Sequence, residues 1–390
     1  MRKGTILYIG GFELPDKNAA AHRVLNNGKV LRELGYRVVF IDVDRKLTYE
    51  TDVLDTKKNV QGFDCWSLAY PKSSKQWIHY LGNVDFLENI VREYDDIKGI
   101  ICYNYQALAF MKIKKFCKNN NLKILADCTE WYSTKGTNLY FKLIKGLDSF
   151  VRMRILQKRL DGIIVISRYL ETYYKDCKNI IYIPPLVDHS EEKWNVKVPE
   201  YQDDRIHIVY AGSPGRNKDK LHVIIEKLNK LNGNYDFQLN IAGVTKDQYL
   251  SNFNRHKEII NKLGEKITFL GRLSHAESLK QVKMAHFTMF IRDDNRMTKA
   301  GFPTKFVESI SCGTPVITTK NSDLEEYIIP GKNGFFMEFD ESNIDMIRKV
   351  LSIKKEELRK LKEYSSAQSP FSYVDYIKKM DCFLMKVFES

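Results

Sequence analysis

The sequence predicts an α/β protein made of two doubly wound halves that face each other across a cleft. Three features point there. Short apolar runs alternate with helix-like segments along the chain, the pattern of parallel sheets joined by crossover helices. The runs tend to finish at a glycine or a polar cluster, where open α/β sheets bind ligands. At 390 residues the chain exceeds what one hydrophobic core usually organises, so two or three domains are expected.

The first half, residues 1–189, opens with a strand over Thr5 to Ile9, the pair Gly10-Gly11, a helix from Ala19 to Leu34 closed by Gly35, and a strand over Arg37 to Ile41. Further strands are expected at 99–102, 123–126, 162–166 and 180–183. Residues 190–204 are polar, contain Pro199 and lack sustained periodicity, so they read as a linker. The second half, residues 205–370, repeats the plan with strands at 206–211, 238–242, 267–270, 287–291 and 316–319. After Pro370, Tyr373 to Phe388 alternates apolar and charged residues at helical spacing; this helix, within 371–390, is expected to cross back onto the first domain.

Residues 299–318, KAGFPTKFVESISCGTPVIT, are the most informative stretch. Pro303 suits the first turn of a helix, where a missing N–H is harmless, and Gly313-Thr314-Pro315 ends that helix before the β-branched run Val316 to Thr319. Lys305 falls in the first turn, where its charge opposes the helix macrodipole and so answers to a bound anion. Glu308 follows one turn later. Taken singly, the two also fit a surface lysine and a solvated glutamate.

Composition narrows the classes. No apolar run approaches the roughly 18 to 20 residues that span a bilayer, and MRKGTILYIGGF enters a strand directly, so neither a transmembrane helix nor a signal peptide is expected. Seven cysteines, at 65, 102, 117, 128, 177, 312 and 382, form no CxxC pair, which suits reduced thiols in a cytoplasm better than a disulfide framework. No metal is expected: the histidines lack ligand spacing, and Asp42-Val43-Asp44, although of DxD form, ends a strand and reads better as a chance tripeptide. Gly10 and Gly11 do not complete a GxGxxG fingerprint; they let the backbone approach a substrate.

The net charge of +13 is uneven. Residues 1–190 hold 30 basic against 21 acidic side chains, and the remainder 32 against 28, so +9 lies in the first part. Much of it falls between Lys135 and Arg168, where Lys142, Lys145, Arg152, Arg154, Lys158 and Arg159 are interleaved with Phe141, Ile144, Leu147, Phe150 and Ile155. Such a basic amphipathic stretch fits an anionic membrane, with Arg152, Arg154, Lys158 and Arg159 as docking residues, and equally fits a helix packed on a sheet with a basic outer face. No helix-turn-helix, zinc finger or RNA-binding sheet motif is present, so no nucleic-acid partner is expected.

Five motifs then occur in order: IVYAGSPGRNKDKLHVIIEKL, LNIAG, ITFLGRLSHAESLKQVKMAHFTMFIR, GFPTKFVESISCGTPVI and DLEEYIIPGKNGFF. With GGFELP, DGIIVISRYLETYY and IIYIPPLVD outside them, the chain resembles the GT4 family of retaining glycosyltransferases, bacterial polysaccharide enzymes of the GT-B fold with two Rossmann-like domains. The resemblance implies a nucleotide diphosphate sugar as donor, a glycan or lipid-linked oligosaccharide as acceptor, no cofactor, and a cytoplasmic place on the inner face of the membrane. It implies that Glu308 holds the ribose diol, a task suited to two acceptor oxygens. Lys218, with Gly212 and Arg216 in the same loop, would neutralise the leaving diphosphate, aided by the amides near Thr304 and Lys305 in place of a metal. Two positions depart from the family. Ala300 replaces the usual glutamate that contacts the donor sugar, and Ser213 replaces an arginine, for which Arg216 or the pair Arg292 and Arg296 would compensate. The family's acceptor-side histidine falls near Thr129, so Asp127 or a catalytic Glu130 would hold a hydroxyl there, unless Asp127 only ends its strand. A sugar-nucleotide epimerase, a phosphorylase, or a non-catalytic nucleotide-binding scaffold of the same architecture are the alternatives.

Overall fold

Contacts divide the chain into two units, Met1–Leu186 with Ser372–Ser390, and Val187–Phe371. The computed structural model describes residues 3–131, 139–214, 218–340, 344–368 and 370–389. Lys135 and Arg216 lie outside the described residues, as do the side chains of residues 139–143.

The first unit is built on eight strands: β1 (Gly4–Gly10), β2 (Tyr36–Asp44), β3 (Lys58–Val60), β4 (Phe63–Ala69), β5 (Ile97–Tyr103), β6 (Lys123–Cys128), β7 (Gly162–Val165) and β8 (Ile180–Tyr182). Their order is β3-β4-β2-β1-β5-β6-β7-β8, parallel except for the antiparallel edge pair β3 and β4. Every residue of β1 is buried, which explains why its sequence is a continuous apolar run rather than an alternating one: helices cover both faces of a parallel sheet. The helix Ala19–Glu33 starts at Asn18, whose side chain accepts from the Ala21 N–H, and presents Val24, Leu25 and Leu31 to the core. The C-terminal helix Ile377–Phe388 buries Met380, Phe383, Leu384 and Val387, at i, i+3, i+4 and i+7, in the same core cluster as Tyr8 and Phe40.

The second unit contains β9 (Ile206–Ala211), β10 (Phe237–Ala242), β11 (Ile267–Gly271), β12 (Phe287–Phe290), β13 (Val316–Thr318) and β14 (Gly334–Phe336). All pair in parallel, in the order β11-β10-β9-β12-β13-β14. Strand order reverses between β9 and β12, and the loops beyond that switch point form the natural crevice of such a sheet. The first unit has its own switch point between β1 and β5. Residues 190–204, expected as a linker, lie within the second unit: a short turn at Glu192–Trp194 buries Trp194 edge-on against His275, ring centroids 6.0 Å apart.

Strands β3, β4 and β14 were not expected. Two are three-residue edge strands, and β4, FDCWSLA, mixes polar and aromatic residues without a β-branched run, so neither length nor composition marks them.

Candidate functional site

The second unit's switch point carries a cluster of charges. β9 ends with Tyr210 and Ala211 and is followed by Gly212, whose φ of +121° suits only glycine; a Cβ there would lie 2.7 Å from the Lys305 Nζ. Lys305 comes from the helix Thr304–Ser311, entered through Pro303, which has no N–H to leave unpaired. Its ammonium pairs with Asp219 Oδ2 at 2.7 Å and lies 5.0 Å from the centre of the Tyr210 ring. Asp219 also accepts from the Tyr210 hydroxyl at 2.8 Å and from Arg292 Nε at 2.6 Å. Arg292 follows β12, and its backbone is held on both sides by the Thr319 hydroxyl, at 3.1 and 2.8 Å.

One carboxylate thus serves two cations, and the trio keeps a net positive charge. Burial alone would raise the Asp219 pKa, but Lys305 and Arg292 outweigh it and hold the group at about 2. Asp219 therefore stays ionised at neutral pH. Lys305 and Arg292 side chains are 9 % and 11 % exposed, and Gly212 and Asp219 line an open cavity of about 840 Å³. The other walls of that cavity include Gly243, Arg272 and Ser278, with an aromatic wall where His222 stacks on Phe253 at 4.7 Å and Tyr249 stacks on Phe253 at 5.2 Å. An electropositive end joined to a flat aromatic wall suits an anion carried on a ring system.

Glu308 lies one turn after Lys305, on the same helix face. Its Oε1 is 3.4 Å from His275 Nε2, at the start of the helix His275–Met284, and its side chain is 20 % exposed. Thr304 is the first helical residue, and Lys218 is exposed immediately before Asp219. Arg292 and Arg296 do not act as a pair: Arg292 is in the cluster, whereas Arg296 is exposed at the start of the short helix Arg296–Ala300. Ala300, at the end of that helix, is fully buried, and Ser213 is exposed on the cavity wall.

In the first unit Gly10 ends β1, where a Cβ would lie 2.8 Å from that of Tyr103, so close packing of β1 on β5 requires the glycine. A Cβ added at Gly11 would meet nothing within 4 Å. Asp127, expected to face an acceptor, has no exposed surface. Arg23 donates to it through Nε and Nη2, at 3.0 and 2.7 Å to Oδ1, and the Tyr8 hydroxyl donates to Oδ2. Arg23 uses its remaining nitrogen on the Ile183 carbonyl at 2.9 Å. That site is a structural bolt across the sheet, and it leaves no atom of Asp127 for a ligand. Glu130, beyond the end of β6, is half-buried. Arg152 is a correction: it is buried and donates to the Asn104 carbonyl at 3.1 Å, so it cannot meet a membrane. The helix Leu139–Phe150 passes there into a π-helical turn, Val151–Leu156, whose wider winding changes which residues share a face. Arg154, Lys158 and Arg159 are exposed. Asp42 of the DxD triplet is buried and accepts from Ser67, Lys58 and the Leu14 N–H. Among the described residues no group of three acidic, histidine or cysteine side chains is placed to hold a metal.

Asp219, Tyr210 and His275 were not singled out from the sequence. NKDKL reads as a polar loop, and nothing in it says that its aspartate turns inward while both lysines beside it turn out or sideways.

Residues 191–368 match the family model described as glycosyl transferases group 1. No curated protein matches the sequence. Among solved structures, the chain is similar along nearly its whole length to a sucrose-phosphate synthase from Thermosynechococcus elongatus, with a TM-score of 0.73, 16 % identity and 99 % of each chain covered. It is likewise similar to a glycosyltransferase from Rickettsia africae, with a TM-score of 0.71, 19 % identity and all of each chain covered. A third is Anabaena HepE in complex with UDP and glucose, with a TM-score of 0.66, 13 % identity, and 98 % of this chain and 99 % of that one covered. At these identities the structures establish the fold, and the family match falls on the second unit. The chain has the two-domain GT-B fold, and its second unit matches the group 1 glycosyl transferases, which supports a glycosyltransferase.

Proposed function

We propose that the chain is a retaining hexosyltransferase that moves a sugar from a nucleoside diphosphate donor to a glycan or lipid-linked acceptor in cell-surface polysaccharide biosynthesis. The observation that carries this reading is the Lys305–Asp219–Arg292 cluster beside the Gly212 turn, opening on the 840 Å³ cavity. In the transfer the bond between the sugar's anomeric carbon and the diphosphate oxygen breaks, and the pair of electrons leaves with the diphosphate. Negative charge therefore grows where Lys305 and Arg292 carry the excess positive charge. The acceptor hydroxyl attacks the anomeric carbon, and its proton passes to the departing phosphate oxygen, so the reaction needs no protein nucleophile. Glu308, with two acceptor oxygens near His275, is suited to a vicinal diol such as ribose, and Lys218 to the outer face of the diphosphate. UDP in the HepE complex belongs to that protein and agrees with a nucleotide donor here.

The reading is tested by screening nucleotide sugars for a rise in unfolding temperature, then measuring transfer with Glu308→Ala. Full transfer in that variant defeats the assignment. Conversion of the donor without an acceptor would instead indicate an epimerase. We further propose peripheral contact with an anionic membrane, supported by exposed Leu147, Phe150 and Ile155 on the segment that exposes Arg154, Lys158 and Arg159. No helix among the described residues is long and apolar enough to cross a membrane. Sedimentation with phosphatidylglycerol vesicles, and its loss when those three cations are neutralised, checks this; equal binding to phosphatidylcholine sinks it.

A further inference from the structure

A second cavity, of about 220 Å³, lies within the first unit beyond the C-terminal end of β4, where Ser67, Leu68 and Ala69 form its floor. Its walls hold Tyr80, Tyr105, Asn83 and Asn89, together with Tyr49 and His79. The volume is that of roughly seven waters, or of one sugar ring. Aromatic and neutral polar side chains line it, and among the described residues no lysine or arginine does; Asp85 is the one charged wall residue.

The polar groups here are unusual in what they leave unused. Tyr105 is 4 % exposed, yet its hydroxyl makes no hydrogen bond to any described residue, and neither does that of Tyr80. Burial pushes both phenols well up, so both stay as neutral donors. Asn83 accepts from the Asp85 N–H through Oδ1 at 2.9 Å, and its two amide hydrogens have no described partner. Asn89 makes no side-chain hydrogen bond to a described residue at all. The Tyr49 hydroxyl meets the Gln76 carbonyl at 3.1 Å and His79 Nδ1 at 2.6 Å. A carbonyl only accepts, so Tyr49 spends its single proton there and Nδ1–H donates to the Tyr49 oxygen. These groups face a half-open cavity without a described protein partner, and such a lining suits a polyhydroxyl ligand.

We propose that this cavity binds an uncharged hexose ring, a sugar unit of the acceptor. The inference rests on the glycosyltransferase reading for the word acceptor, but the binding itself does not. Ring C–H faces lie against Tyr80 and Tyr105, and ring hydroxyls accept from the Asn83 and Asn89 amides and the two phenols. Its described wall residues offer Asp85 and no lysine or arginine, which favours a neutral ring over an anionic sugar or a phosphate, the reverse of the cavity in the second unit.

The test uses the full chain and saturation-transfer NMR with methyl glucoside, methyl galactoside, methyl N-acetylglucosaminide and glucuronate, each without nucleotide. At least one neutral glycoside is expected to receive saturation at millimolar concentration, and glucuronate is not. Tyr105→Phe with Asn89→Ala should weaken that binding about tenfold and leave the unfolding midpoint and UDP binding unchanged. Absence of transfer to every neutral glycoside, preference for glucuronate, or binding indifferent to the double variant each overturns the proposal. UDP binding measured in parallel separates the two readings. Nucleotide without glycoside binding overturns this site alone, and glycoside without nucleotide binding overturns the donor site alone.

Discussion

The two units place similar chemistry at equivalent points and use it differently. Each has a tyrosine from its first strand, β1 or β9, donating to a buried aspartate that also holds an arginine: Tyr8, Asp127 and Arg23 in the first unit, Tyr210, Asp219 and Arg292 in the second. In the first, one cation meets one carboxylate, the side chains are 2 % and 0 % exposed, and the guanidinium is spent on Asp127 and main-chain carbonyls. In the second a further cation, Lys305, tips the balance to net positive, and glycine at 212 keeps the cluster next to open space. A closed, neutral cluster serves stability; an open one with surplus charge serves a ligand. The difference lies in one extra lysine and one missing side chain.

Removing the carboxylate of the closed cluster should have the largest effect. Asp127→Ala leaves Arg23 buried and unpaired and should destabilise the first unit by about 3 to 5 kcal/mol, read as a drop in the denaturation midpoint. A loss comparable to that of a surface mutation would break the comparison. Lys305→Met removes a ligand cation while Asp219 keeps Arg292, so affinity for UDP should fall roughly ten- to a hundredfold, with much less change in stability than Asp127→Ala. Calorimetry that finds nucleotide affinity unchanged would make the second cluster structural as well.

Acid should sharpen the contrast further. The Asp219 pKa is depressed from 3.8 to about 2, so its stabilising contribution is present in full above pH 4 and is lost as pH falls towards 2. That contribution is on the order of 2 kcal/mol. Asp219→Asn should remove this acid-dependent portion from urea midpoints measured between pH 5 and pH 2; an unaltered profile refutes the pairing. The smallest effects come from the tyrosines. Tyr8→Phe and Tyr210→Phe should each lower stability by about 1 kcal/mol, and only Tyr210→Phe should also shift nucleotide affinity. Equal shifts from both would erase the distinction.

Much of the fold was legible because its physical cause is local. β1 and β9 announce themselves as apolar runs ending in glycine, and the C-terminal helix by its spacing of Met380, Phe383, Leu384 and Val387. Glu308 and Lys305 could be found because Pro303 and Gly313 mark both ends of their helix. β4 escaped because FDCWSLA mixes polar and aromatic residues without a β-branched run, and Arg152 was misjudged because a π-helical turn breaks the period from which faces are read.

Sequence alone determined the α/β class, the two wound halves, the order of the motifs and the helix that carries Lys305 and Glu308, since propensity, periodicity and capping act between near neighbours in the chain. Only the tertiary structure decided that Asp219 is shared by Lys305 and Arg292, each more than seventy residues away. It also decided that Asp127 is sealed, and that Tyr80, Tyr105, Asn83 and Asn89 surround one cavity. Burial and charge pairing depend on which distant residues pack together, and an aspartate carries no local sign of which partner it will meet.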